Sequence, residues 1–283
     1  MNEKIRIGSF QGPIVDNDFE CNLNKVKEVL NQTRDNGLDF LCFPETYLSG
    51  YSEQAVRESS ILMDDPRLLE FIRYSAAFDT VILVGMSERK GDKIFNTQIV
   101  VYRGKLLGKY HKTMLTAEDK LVFASNLEFP VFEAKGIKFG VVICADTSYV
   151  EPALLLRWKG ARLLFTPHYN DIPPEGIDTS DGKVTFWEHR TMVLNNQAAL
   201  ATLLKMVVVR SNVVIVREGH LGAGDAAIWD MNGGVVARGT PFTECIVTAE
   251  FDRDIFEKEN WINREEVPVE LLDQIARAAR DYK

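Results

Sequence analysis

Phe139-Gly140-Val141-Val142-Ile143-Cys144-Ala145-Asp146 opens as an almost unbroken apolar run and closes on a thiol and a carboxylate. A short run this rich in β-branched residues predicts a strand buried on both faces, as in a parallel or mixed sheet covered by helices. Its polar end matters as much as its apolar body, because in open α/β sheets functional sites assemble at the carboxyl ends of strands.

Two other strand ends carry comparable chemistry. Leu38 to Phe43 reads as a buried strand followed by Pro44-Glu45, and Lys109-Tyr110-His111-Lys112 closes a hairpin strand. Around them, strand and helix patterns alternate. Ile5, Ile7 and Phe10 mark a first strand, whereas Leu23, Val26, Val29 and Leu30 recur at helical spacing ahead of Gly37. Pro66 starts a helix reaching about Phe78, and Val81 to Met86 is again strand. Hairpins turn at Arg103-Gly104 and Lys135-Gly136. A helix near Glu151 to Lys159 leads to the strand Arg162 to Thr166, and Asn170 to Lys183 reads as a long loop. Thr185 to Leu204 is helical, Val207 to Val216 is strand interrupted at Ser211-Asn212, two strands flank Asn232-Gly233-Gly234, and Cys245 to Phe251 is another. The tail from Val269 to Tyr282 is amphipathic. The alternation predicts one α/β domain with a mixed sheet.

Composition narrows the function. The 283 residues are 46% apolar and 26% charged, which is globular, and the net charge of −8 is the wrong sign for a general nucleic-acid binder. No apolar run approaches the ~20 residues that span a bilayer, and strand patterning starts directly after Met1, so neither a membrane span nor a secretory leader is expected. Cys21, Cys42, Cys144 and Cys245 form no C-x-x-C pair, which fits a reduced, cytoplasmic protein. His111, His168, His189 and His220 have no metal-ligand spacing, and H-E-x-x-H, P-loop and G-x-S-x-G motifs are absent. Gly222-Ala223-Gly224-Asp225-Ala226-Ala227 loosely resembles a dinucleotide fingerprint but precedes a strand pattern instead of a helix. No metal or organic cofactor is therefore expected.

Singly, Glu45, Lys112 and Cys144 have ordinary structural readings: a turn residue, a solvated lysine, a buried thiol. Together they supply a base, a positive charge for a developing oxyanion and a nucleophile. A Cys–His hydrolase using His168 or His189 stays open on the residues alone.

With these three motifs in this order, the sequence resembles the nitrilase superfamily of carbon–nitrogen hydrolases. Phe43-Pro44-Glu45, His111-Lys112 and Ile143-Cys144-Ala145-Asp146 match the family's glutamate, lysine and cysteine motifs. Supporting matches are Asn96-Thr97, Gly160-Ala161, Arg210-Ser211-Asn212 and Ile228-Trp229-Asp230-Met231-Asn232-Gly233. The resemblance implies an α-β-β-α sandwich of the four-layer type, a core over about residues 4–252 of a single domain spanning 1–283, and a C-terminal extension over about 253–283. It implies that Glu45 is the base, that Lys112 and the Ala145 N–H hold the oxyanion, and that Cys144 is the nucleophile. It implies, too, that His168, Tyr169 and Asn170 fall where substrate is bound.

The family often adds a glutamate four residues before an aromatic residue; here that position before Phe123 is Asp119, and Glu118, one place earlier, is the expected carboxylate. A homodimer or higher oligomer is also implied, with contacts from Glu151 to Lys159 and from Trp261 to Tyr282, where Leu271, Leu272 and Ile275 form an apolar stripe. True nitrilases usually carry Trp-Glu after the nucleophile, whereas Ala145-Asp146 here points to a small amide. Thr166-Pro167-His168-Tyr169-Asn170 faintly resembles N-carbamoyl amino acid hydrolases, but the arginine they carry soon after Cys-x-Asp is absent from Thr147-Ser148-Tyr149. An N-carbamoyl or ureide amidohydrolase and an N-acyltransferase are the alternatives.

Overall fold

Period-two patterning sorts the strand residues of this chain into two kinds, and the computed structural model shows what each kind meets; it describes residues 3–179, 182–217, 219–257 and 267–281. The strands are β1 (Lys4–Gly12), β2 (Phe40–Cys42), β3 (Val81–Lys90), β4 (Lys93–Tyr102), β5 (Lys105–His111), β6 (Phe132–Ala134), β7 (Ile137–Val141), β8 (Leu163–Pro167), β9 (Ile177–Thr179), β10 (Gly182–Val184), β11 (Val207–Arg217), β12 (His220–Ala223), β13 (Ala227–Trp229), β14 (Val235–Arg238) and β15 (Cys245–Asp252). The helices are α1 (Phe19–Gln32), α2 (Glu53–Ser59), α3 (Pro66–Tyr74), α4 (Asp119–Val122), α5 (Val150–Trp158), α6 (Phe186–Leu204), α7 (Asp254–Glu257) and α8 (Val269–Asp281).

Hydrogen bonding runs in the order β5-β4-β3-β2-β1-β11-β8-β7-β6, with β15 on β1 and with β12 and β13 on β11. The join between the two halves is slight: only Gln11↔Asn212 and Gly12↔Val213 pair β1 with β11. About that join the halves fold face to face. Ile5, Ile7, Phe40, Val81 and Leu83 of one half share a core with Phe139, Val141, Phe165, Val207 and Val209 of the other. The Phe40 ring lies 5.3 Å from Phe139 and 5.9 Å from Phe165 between centroids, within the range of favourable aromatic contact.

The alternate residues face outward onto helices. Leu41, Ile82 and Val84 pack against Leu23 and Val26 of α1 and Leu68 and Phe71 of α3. On the opposite side Leu164, Val208 and Trp229 pack against Leu156 of α5 and Leu200 and Leu204 of α6. The result is the four-layer α-β-β-α arrangement. Each large side chain removed from water contributes roughly 1.5–3 kcal/mol. The helices start where their caps dictate: Asp65 accepts from the Arg67 amide ahead of Pro66 in α3, and Thr185 and Glu188 form a reciprocal capping box on α6.

Two elements differ from the sequence-based expectation. Residues 170–183 are not all loop, because β9 and β10 pair there as a hairpin. The expected break at Ser211-Asn212 is a change of partner within one continuous strand: Val207 to Ser211 pair with β8, and Asn212 and Val213 pair with β1. Of the expected oligomer-forming tail, Trp261 and Tyr282 lie outside the described residues. Among the described residues no helix is long and apolar enough to cross a membrane.

Candidate active site

β1, β2 and β3 run parallel, as do β7, β8, β11 and β1, and two antiparallel steps through β4 bring β5 into the same direction. Glu45, Lys112, Cys144 and the segment His168 to Asn170 therefore all leave the sandwich at one edge. Glu45 sits on a turn pressed against β3: a Cβ on Gly85 would lie 2.3 Å from the Thr46 amide nitrogen and 2.6 Å from the Pro44 carbonyl oxygen. Only a residue without a side chain permits that approach. Lys112 follows β5 directly and donates its N–H to the Asn96 carbonyl at 2.8 Å. Cys144 begins a 3₁₀ turn over Cys144–Ser148 and holds φ at +46°, a strained value of the kind found at active sites. The Ala145 amide thus lies in a first helical turn, where N–H groups lack intrahelical partners.

Asp146 binds these pieces together. Its carboxylate accepts from the amides of Ile143 (2.8 Å), Thr113 (3.2 Å) and Met114 (2.6 Å) and from the Tyr110 hydroxyl (2.8 Å). The turn carrying the thiol and the loop after Lys112 are held by one buried carboxylate.

A fully buried row of charges lies beside the thiol. Lys112 Nζ contacts Glu45 Oε1 at 2.7 Å and Asp119 Oδ2 at 2.8 Å, and none of the three side chains is exposed. Glu45 Oε1 also accepts from Asn96 Nδ2 at 2.7 Å, and Oε2 from the Tyr169 amide at 2.7 Å. Tyr51 donates to Asp119 Oδ1 at 2.5 Å. Burial works against the charged form of Lys112, but the carboxylates around it outweigh burial and hold its pKa well above the ordinary lysine value. Burial raises the Glu45 carboxyl, helped by Asp119 and opposed by Lys112. Burial would raise Asp119 as well, yet the Lys112 charge and the donated hydrogen bonds bring it below the usual carboxylate range. The Cys144 thiol is pushed up by burial and by Glu45 and pulled down by Lys112, so it needs a base in order to ionise. Cys42 is a different kind of thiol: buried in the core, it is raised to about 12.

Asn170 points its Nδ2 at Cys144 Sγ, 3.6 Å away. Tyr169, beyond its amide bond to Glu45, stacks its ring on Tyr51 at 4.6 Å. His168 contributes backbone, its carbonyl accepting from the Glu45 amide at 3.3 Å. The His168 ring is bonded through Nδ1 to the Thr166 carbonyl at 2.8 Å, and burial keeps it neutral. His189 lines a separate hollow beyond Asn170. Neither imidazole is placed as the partner of the thiol.

The expected additional carboxylate needs correcting. Glu118 is exposed, and the residue on Lys112 is Asp119, which is 1% exposed. In the single turn α4, Asp119 and Phe123 are four apart and therefore share a face, and that face is buried. Asn96 belonged to a recognised sequence match without an assigned role, whereas Tyr51 carried no signal at all. Among the described residues, no group of three or more His, Cys, Asp or Glu is placed to hold a metal ion.

Comparison with known proteins places the chain in a family. The family model described as carbon-nitrogen hydrolase matches residues 6–258. The chain is 34% identical over 175 residues to a Pseudomonas protegens protein named "Hydrolase in pqqF 5'region", covering 60% of this chain and 61% of that one. It is 27% identical over 271 residues to an (R)-stereoselective amidase of a Pseudomonas species, covering 94% and 85%. It is 28% identical over 249 residues to the glutamine-dependent NAD(+) synthetase of Thermotoga maritima, covering 84% of this chain and 40% of that one. The chain thus spans 40–61% of the length of several curated relatives it matches. Nit3 of Saccharomyces cerevisiae, a nitrilase superfamily member of known structure, superposes with a TM-score of 0.76 at 21% identity, over 94% of this chain and 97% of that one.

Proposed function

Since the chain belongs to the carbon–nitrogen hydrolase family, we propose that it hydrolyses the C–N bond of a small amide through a thioester on Cys144. The observation that carries this reading is the buried lysine held between Glu45 and Asp119 at 2.7 and 2.8 Å beside a strained cysteine. A cation this firmly charged and dry is a poor acid but a strong electrostatic partner for a developing oxyanion.

Glu45 takes the thiol proton as sulfur attacks the carbonyl carbon. The oxyanion is held by Lys112 and the Ala145 N–H. The tetrahedral intermediate collapses, its C–N bond breaks, and Glu45 returns the proton to the departing ammonia or amine. Glu45 then removes a proton from water, the hydroxide adds to the thioester, and the carboxylic acid leaves as the thiol is reprotonated. The raised pKa of Glu45 suits both halves of this cycle. Asn170, hydrogen-bonded toward Sγ, orients the nucleophile. Amides are preferred over nitriles because a carbonyl oxygen is presented to a ready pair of donors. Ammonia release from a matched amide and nitrile series tests this, with faster release from the amide expected; a nitrile outpacing its amide overturns the assignment.

We also propose that two copies associate, through the exposed Tyr149, Val150 and Leu155 at α5 and the Leu271 and Ile275 stripe of α8. Light scattering should give twice the chain mass at micromolar concentration, and a monomer there contradicts the pairing.

A further inference from the structure

The strands that lead to Lys112 have a second buried carboxylate on their other face. Successive side chains of a strand point to opposite faces. Asn96 and Lys112 both bond Glu45, so their chain neighbours Thr97 and His111 point the other way, onto Glu88. Glu88 is 1% exposed and His111 is 7% exposed. Glu88 Oε2 accepts from His111 Nε2 at 2.9 Å and from Thr97 Oγ1 at 3.1 Å, while Oε1 takes the Lys109 ammonium. The His111 ring centroid lies 4.7 Å from that of Phe95.

Asn126 closes the arrangement from the following loop. Its Nδ2 meets His111 Nδ1 at 3.0 Å, and its carbonyl accepts from Thr113 Oγ1 at 2.6 Å. One residue thus holds both chain neighbours of Lys112. That hold matters because Lys112 lies one residue past Thr97↔His111, the last pair of the β4–β5 ladder. A four-carbon stem is flexible, so the point that Nζ reaches depends on how firmly the backbone beneath it is fixed. Glu45 and Asp119 hold the ammonium itself, whereas Glu88 and Asn126 hold the chain that carries it.

We propose that Glu88, His111 and Asn126 are positioning residues for Lys112 and, through Thr97, for Asn96, and that they set the rate of the step these two serve. The inference rests on the hydrolase reading for what that step is. Glu88 and His111 face away from Glu45 and act through their neighbours, so their loss slows the chemistry without weakening substrate binding. Misplacing a catalytic group by about 1 Å can cost ~10²-fold in rate, and a loosened anchor should cost roughly tenfold.

The test combines steady-state kinetics on a hydrolysed amide with alkylation of Cys144 by iodoacetamide, read by peptide mass, which needs no turnover. Lys112 pulls the Cys144 thiol down, so a displaced ammonium slows alkylation as well. Glu88→Gln and His111→Phe should each lower kcat about tenfold with KM within twofold, and slow alkylation at least threefold. His111→Gln, whose amide can still donate to Glu88, should keep kcat within about threefold of the unsubstituted chain. Lys109→Met removes the ion pair on Glu88 but neither link toward Lys112 and Asn96, and should leave kcat and alkylation within twofold. Asn126→Ala, at a half-buried position, carries the test if Glu88→Gln fails to fold, and should lower kcat at least threefold. Values of kcat and alkylation within twofold in folded Glu88→Gln, His111→Phe and Asn126→Ala overturn the positioning. So does an equal loss of kcat in Lys109→Met, which would make strand stability the cause. Slowed alkylation in these variants, with no ammonia from any amide even in the unsubstituted chain, contradicts the hydrolase reading and leaves the positioning standing.

Discussion

Asp119 and Glu118 are adjacent in sequence and opposite in environment, and the difference is testable by substitution. Asp119→Asn removes a charge from a buried ion pair with Lys112 and should lower kcat/KM by roughly 10²-fold, the scale seen for a lost electrostatic contact in a dry site. Glu118→Gln changes an exposed side chain and should leave kcat/KM within about twofold and stability within roughly 0.5 kcal/mol. Steady-state kinetics with urea unfolding on both variants checks the pair. The three motif residues were legible in the sequence because strand ends carry unusual chemistry there. The fourth carboxylate was misplaced by one position because a single helical turn shows no periodicity to read. The cue that existed was the four-residue spacing to Phe123, which outranks the identity of the acid.

At the scale of elements, Glu88 of β3 ties three strands together, bonding Lys109 and His111 of β5 and accepting from Thr97 of β4 at 3.1 Å. Burial would raise this carboxyl, but the bonds from His111 and Lys109 outweigh burial and bring it to about 2. The folded pKa lies below the unfolded one, so the stability it confers is present above about pH 4.5 and is lost as pH falls toward 2. The linkage amounts to roughly 3 kcal/mol. Glu88→Gln should therefore flatten the acid limb of the stability curve between those pH values, as read by urea unfolding at each pH. A limb as steep as that of the unsubstituted chain contradicts the assignment.

Gly85→Ala drives a methyl group into the Glu45 turn. It should cost roughly 1–3 kcal/mol in stability and lower kcat by more than tenfold, measured in thermal melts and initial rates; unchanged kcat means the turn yields without moving the base. The hairpin β9–β10 escaped the sequence reading because prolines, glycines and polar residues dominate its surroundings and its strands are short and largely exposed.

For the whole molecule, the α/β class was legible and the layering was not. Continuous burial along β2 and most of β3 shows that both faces are covered, but a strand reads the same whether helix or second sheet covers it. What decides the four layers is the two-residue pairing of β1 with β11, a long-range contact that leaves no local pattern. The implied layers came from the resemblance carried by Glu45, Lys112 and Cys144, and the shared core of the two halves bears them out. That arrangement is also what brings four strand ends from two halves to one edge, so fold and candidate chemistry stand on the same topology.

The central claim is that the Cys144 sulfur carries the acyl group between C–N cleavage and release of the acid. The most direct measurement is intact-protein mass spectrometry on samples acid-quenched within milliseconds of mixing with a turned-over amide, followed by peptide mapping. The expected result is a transient mass increase equal to the acyl group, located on the peptide containing Cys144 and absent from Cys144→Ala, which also releases no ammonia. Ammonia release by Cys144→Ala at the rate of the unsubstituted chain, or turnover whose acyl adduct maps to another residue, would contradict it.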